Sequence, residues 1–260
     1  MTSRYVVYPD DIPPRQAPQD SARVRPVLTE SFGCTYLTET VLTIAPGTTH
    51  PYTCGEHEEL LFVLHGHGNL LLDGIAQPFG PESGIYIGPG ETYQLEITDG
   101  KGAEVVSVQV VNPAGDEVEA GERRTISLLD DQEIGHATAG REYRILADPS
   151  TGFRSGTHFV GDVPTGEPAP MHYHRYNEVI YVMQGVGILH IDGEDNPLYP
   201  GACIHLPART LHQVENTGDI PMREVAVFVP AGSPAAAYLP DGTSAYPTQP
   251  DDPDGGVTPG

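Results

Sequence analysis

Cysteine is scarce, basic charge is scarce, and long apolar runs are missing. The three cysteines, Cys34, Cys54 and Cys203, form no CxxC pair, and their odd number argues against a disulfide framework. They read as buried or half-buried free thiols. Thirteen basic residues face 36 acidic ones, a formal net charge of -23. Such a surface repels nucleic acid phosphate and anionic lipid, so neither is expected as a partner. The charges are scattered rather than blocked, which favours a role in solubility or a high-salt habitat over attraction of a cationic partner. No stretch of about 18 apolar residues exists, so no transmembrane helix is expected. The opening MTSRYVVYPDDIPPRQ lacks a basic region, apolar run and small-residue cleavage site, so the expectation is a cytoplasmic protein without a signal peptide. GxSxG, P-loop and dinucleotide fingerprints are absent too. The GxG in LHGHGNLLLDG follows a strand without a helix behind it and reads as a turn.

What the chain has in quantity is glycine (30) and proline (26), set at intervals between short apolar runs. That spacing predicts many short strands and no long helices. Strands are expected near residues 36–44, 60–64, 69–72, 84–87 and 104–111, and again near 154–160, 179–183, 187–191, 202–206 and 223–229. One short helical turn is expected within 127–134. The chain then repeats itself at an offset of 119. Gly47 meets Gly166, Pro51 meets Pro170, Glu59 meets Glu178, Gly66 meets Gly185, and Asp73-Gly74 meets Asp192-Gly193. LLFVL falls on VIYVM without a gap. Two copies of one β unit are therefore expected: an extended arm over 1–30, a first barrel over 31–112, a polar linker over 113–140 and a second barrel over 141–235. A C-terminal tail is expected over 236–260, of which 240–260 have the composition of a disordered segment.

The second copy carries a concentrated constellation. In GEPAPMHYHRYNEVIYVMQG, His172 and His174 alternate on a strand and point one way, with Tyr173 turned outward. Glu178 opens the next strand, and His212 follows a proline-led turn in PARTLHQVEN. Three imidazoles and a carboxylate suit a divalent transition metal. On a six-coordinate ion they leave two positions open for water, dioxygen or a chelating substrate.

These two segments resemble the two motifs of the cupin superfamily. The first is a glycine, five residues, HxH, three residues, glutamate, six residues and glycine. The second is PxG, two residues, histidine, three residues and asparagine. The match is complete except that Arg209 stands where glycine is usual. The resemblance implies an all-β chain of two cupin (double-stranded β-helix, or jelly-roll) barrels in tandem. It also implies a metal held by His172, His174, Glu178 and His212 in the second barrel's mouth.

The first copy departs from the pattern. Thr53, Gly55 and Gln94 stand at the histidine positions and only Glu59 survives, which suggests a scaffold barrel. A rebuilt site from His50, Cys54, His57 and Glu58 is the rival reading. Tyr181, Met183 and Phe228 are candidate pocket-lining residues, with His205 as a candidate substrate contact. His65 and His67, His158 and His190 are expected on the surface. By resemblance, the chain reads as a metal-dependent enzyme acting on a small organic molecule. An Fe(II) dioxygenase leads, with Glu178 as ligand and catalytic base. The alternatives are a non-redox isomerase, cyclase, lyase or decarboxylase using Zn, Mn or Ni, and a non-catalytic binding module; Cu is a further metal the ligand set would accept. A homo-oligomer is compatible with the sequence.

Overall fold

The structure, a computed structural model, describes residues 3–113 and 118–246. It is built almost wholly from antiparallel strands. Each copy contributes one large and one small sheet. In the first copy, six strands lie in the order Ile126–Leu128, Ser83–Ile87, Glu58–His65, Ala103–Val110, Leu37–Ile44 and Ala22–Leu28. The smaller sheet centres on Gly68–Leu72, between Thr92–Ile97 and Ile75–Phe79. The second copy repeats the plan. Asn177–Gln184 runs between Cys203–Leu206 and Met222–Val229, with Thr157–Val163 beyond, while Gly187–Ile191 pairs with Glu194–Leu198 and His212–Asn216. The short turn expected within 127–134 is a 3-10 turn over Leu129–Asp131.

Local chemistry fixes the hairpins. In both small sheets a two-residue Asp-Gly loop joins the strands, with φ of 51° and 75° at Asp73-Gly74 and 51° and 76° at Asp192-Gly193. Positive φ at both positions suits a turn whose twist matches its strands, and glycine takes the second at no steric cost. Alternation then sorts the side chains. Along Asn177–Gln184, Ile180 and Val182 join the interior of the second barrel, while Val179 and Tyr181 face a separate cluster between the barrels. That cluster draws Leu60, Phe62 and Val108 from one copy and Val179, Val225 and Val227 from the other. Each such side chain withdrawn from water contributes about 1.5–3 kcal/mol.

Two segments tie the copies together. Val6 and Val7 pair with Ile204 and Cys203, so the N-terminal arm adds a strand to the second copy's sheet. Arg4 and the Tyr5 hydroxyl both bond Asp192, and Tyr8 stacks on Tyr199 at 4.1 Å. Ile126–Leu128, in the stretch between the copies, pairs with Ser83–Ile87 at the corresponding edge of the first. No helix among the described residues is long and apolar enough to cross a membrane.

Candidate metal centre

The mouth of the second barrel gathers three imidazoles. His172 and His212 face each other across an antiparallel bridge, with backbone bonds of 3.0 and 2.9 Å in the two directions. The two-residue period of an extended chain brings His174 to the same side as His172. The ligand nitrogens of His172, His174 and His212 lie within 4.8 Å of one another, and all three residues are buried.

Hydrogen bonding fixes their tautomers. Nδ1 of His172 donates to Pro170 O (2.7 Å), Nδ1 of His174 to Ala236 O (2.8 Å) and Nδ1 of His212 to Thr210 O (2.9 Å). A carbonyl only accepts, so each Nδ1 holds the proton and each Nε2 keeps its lone pair free. Burial pushes His172 down to about 4 and His212 to about 3, aided at His172 by the charge of Arg141 and at His212 by His172. His174 lies well below the ordinary imidazole value, from burial and then its two neighbours. Three neutral imidazoles, each oriented by a carbonyl behind it, are the donor set a divalent transition metal requires.

Glu178 stands outside this tight group of three but lines the same cavity, as do Arg141, Tyr176 and Glu224. Burial, and then the charge of Glu224, raise the Glu178 carboxyl well above the usual carboxylate range, against the pull of Arg141. Burial raises Glu224 as well, and its Oε2 has no hydrogen-bond partner. Tyr176 stacks on His174 at 4.6 Å and on Phe228 at 3.7 Å, bracing the ligand ring. The cavity is small, about 50 Å³, with Phe159, Ile180 and Val214 on its apolar side. Pro234, Ala235 and Ala237 close it from the C-terminal segment. A C-terminal tail was expected from 236, disordered in composition from 240. Ala237 instead lines the cavity and Tyr238 pairs with Tyr173 and Ser244, and the residues beyond 246 lie outside the described residues.

The four expected pocket residues do not line this cavity. Tyr181 packs in the inter-barrel cluster and Met183 against it, because odd positions of Asn177–Gln184 face away from Glu178. His205 pairs opposite Val179 and shares that outward phase. Phe228 lies one layer back, behind Tyr176. Sequence reasoning passed over Arg141, Tyr176 and Glu224. Of these, Glu224 left a signal: an acid in the inward phase of its strand, between Met222 and Ala226. His158, expected on the surface, is 1% exposed. His190 is half-buried between Asp195 and Glu215. His65 and His67 are exposed, beside Glu104 and Asp99.

In the first barrel the surviving Glu59 accepts from Ser107 Oγ (2.6 Å) and Tyr93 OH (3.0 Å). Thr53 and Gly55 are exposed, and the Gln94 amide donates to Thr49 O (2.7 Å). Nor do His50, Cys54, His57 and Glu58 converge. The Cys54 thiol donates to His57 O, while Glu58 accepts from Tyr86 OH and the amides of Arg154 and Ser155. Among the described residues the His172, His174, His212 group is the one cluster suited to a metal.

A family model described as Cupin domain matches residues 159–228, the strands that carry this cluster. The polyketide synthase protein CurC of Streptomyces cyaneus is 31% identical over 118 residues, which cover 42% of this chain and 77% of that one. The chain belongs to the cupin superfamily. SchB of Streptomyces halstedii is 36% identical over 88 residues, 33% of this cupin and 64% of SchB. An oxalate-binding protein of Thermotoga maritima is 29% identical over 68 residues, 26% of this chain and 56% of that protein. The first three curated relatives are matched over 55% to 64% of their own length. Among solved structures, a point variant of the oxalate decarboxylase of Bacillus subtilis superposes with a TM-score of 0.71 at 18% identity, covering 90% of this chain and 79% of that one. At that identity the likeness establishes the two-barrel cupin fold.

Proposed function

We propose that this bicupin is a metal-dependent enzyme whose single centre lies in the second barrel and acts on a small organic molecule. The observation that carries the reading is the set of three Nδ1-to-carbonyl bonds, which leaves three neutral Nε2 atoms gathered in one place. Glu178 would complete the set as a fourth ligand, and its carboxyl would serve as an acid or base. A divalent ion there supplies a Lewis acid that polarises a substrate oxygen. The chain's own groups do the rest. Burial keeps protons on Glu178 and Glu224 at higher pH than on exposed carboxyls, so both can donate inside the cavity. The segment over the mouth excludes water.

Two buried carboxyls raised above the usual carboxylate range favour proton transfer, and with it a non-redox lyase, decarboxylase or isomerase using manganese or zinc. The kinship in fold with oxalate decarboxylase, whose Mn(II) centres are described in one such structure, supports that choice. A cavity of about 50 Å³ is far below the 300–1,000 Å³ of sites for drug-sized ligands, which weighs against a polyketide-sized substrate. An Fe(II) dioxygenase is the second reading. It shares the three-histidine, one-carboxylate set, and the apolar wall of Phe159, Ile180 and Val214 suits dioxygen.

Elemental analysis of protein purified without added metal, followed by oxygen-electrode and CO2-release assays on small acids, separates the two. Manganese or zinc with turnover and no oxygen uptake is the expected result. Iron with stoichiometric oxygen uptake would replace the first reading by the second. A protein that binds small acids equally well after His174→Ala, without turnover, would make it a binding module.

A further inference from the structure

Arg141 directly precedes the strand Glu142–Ala147 and lines the cavity beside the three imidazoles, Glu178 and Glu224. A guanidinium offers five N–H donors in a planar fork. Here Nη2 donates to Val214 O at 3.0 Å, while Nε is buried with no partner. No carboxylate among the described residues reaches ion-pair distance of it. The contrast with other arginines is direct. Arg123 binds Glu91, and Arg223 binds Glu82 and Asp162. Nor are acids in short supply, with 36 in the chain. Glu178 and Glu224 share the cavity, close enough for their charges to act on Arg141, and neither closes on it. A fork left open inside a cavity is the geometry that receives a carboxylate from outside.

Size narrows the guest. A water occupies roughly 10–15 Å³ on the scale on which this cavity measures about 50 Å³, so roughly three to five heavy atoms fit.

We propose that Arg141 anchors the carboxylate of a small acid, about two or three carbons long, and turns its other end toward the imidazole nitrogens. This rests on the metal-centre reading for its orientation, but the anchor itself is the chain's own.

Calorimetric titration of the full chain tests it, metal-free and manganese-loaded, with glycolate and its neutral amide glycolamide as probes. Wild-type protein binds glycolate about tenfold or more tighter than glycolamide in both forms, and Arg141→Met removes that preference. Arg141→Lys, which keeps the charge and loses the fork, retains only part of it. Manganese affinity changes little in either variant, which shows that the centre has folded. Should Arg141→Met fail to fold, the lysine variant decides alone. A glycolate affinity that survives loss of the fork, or no preference for glycolate in the wild type, overturns the proposal. Failure of manganese to bind the wild type would overturn the metal-centre reading instead, because the metal-free titration still reads the anchor.

Discussion

Arg209 holds a backbone conformation that its side chain opposes. Its φ is 63°, in the left-handed region, and its amide donates to His174 O at 2.7 Å. A residue with a Cβ sits there at a cost of about 1–2 kcal/mol, partly offset in glycine by unfolded-state entropy. Arg209→Gly should therefore stabilise the chain by about 0.5–1 kcal/mol in urea unfolding. Metal affinity should stay unchanged, since the amide bond survives. His174→Ala should do the reverse. Unfolding free energy without metal should change modestly, while the gain on adding metal at 100 times its Kd, about 2.7 kcal/mol in the wild type, should vanish. A melting shift retained by the variant would remove His174 from the ligand set. The three histidines were legible in the sequence because each sits in a patterned segment: two alternate on one strand face in MHYH, and the third follows a proline-led turn in PARTLHQVEN. Arg141 was not. It lies 31 residues before His172, and a lone arginine at a strand start carries no pattern; only the folded barrel brings it to the imidazoles.

The C-terminal segment shows where reading by composition stopped short. Residues 240–260 are rich in proline, glycine and aspartate, yet the stretch leading into them docks. Tyr238 exchanges two backbone bonds with Tyr173, at 2.9 and 3.0 Å, and their rings stack at 5.6 Å. Arg175 lies over the Tyr238 ring at 4.2 Å. The outward turn of Tyr173 was legible from alternation; the strap it holds was not, because its partners lie about 65 residues apart in sequence. Alternation also placed Tyr181 and Met183 in one phase, but not which phase faced the metal; Glu178, three positions before Tyr181, holds that clue. Because Ala236 O orients the His174 ring, loosening the strap should act on the metal. Tyr238→Ala should raise amide hydrogen exchange at Tyr173 about tenfold or more and weaken metal binding about tenfold, as loss of an orienting partner does. Unaltered exchange at Tyr173 would mean that the strap is held by other contacts.

At the scale of the whole molecule, the duplication puts corresponding residues face to face. Glu39 pairs with Val108 in one copy, and His158 pairs with Val227 in the other, at the same 119-residue offset as the motifs. Both line a small cavity, about 10 Å³, enclosed between the barrels by Leu60, Phe62 and Val179 among others. Each is 1% exposed. The Cys203 thiol near Glu39 gives its hydrogen bond to Gly201 O at 3.7 Å, leaving both carboxylate oxygens without a partner; Nδ1 of His158 lacks one too. Burial lifts Glu39 to about 8 from an ordinary 4.5 and lowers His158 to about 3 from 6.5. The folded state thus favours protonated Glu39, and this contribution is full below pH 4.5 and lost as pH rises through 8. It also favours neutral His158, and that contribution is full above pH 6.5 and lost as pH falls through 3. Each slope is about 1.4 kcal/mol per pH unit, and between 4.5 and 6.5 the two oppose and cancel. Stability contributed by this interface should therefore be flat from pH 4.5 to 6.5 and fall on both sides. Glu39→Leu should stabilise the chain more at about pH 8 than at about pH 5, and His158→Leu more at about pH 4 than at about pH 7, since each removes an unpaired buried polar group. Urea unfolding of the wild type and both variants across that range measures it. Parallel pH profiles in all three proteins would show that neither residue titrates between the barrels, and that charges elsewhere on this acidic chain set its response to pH.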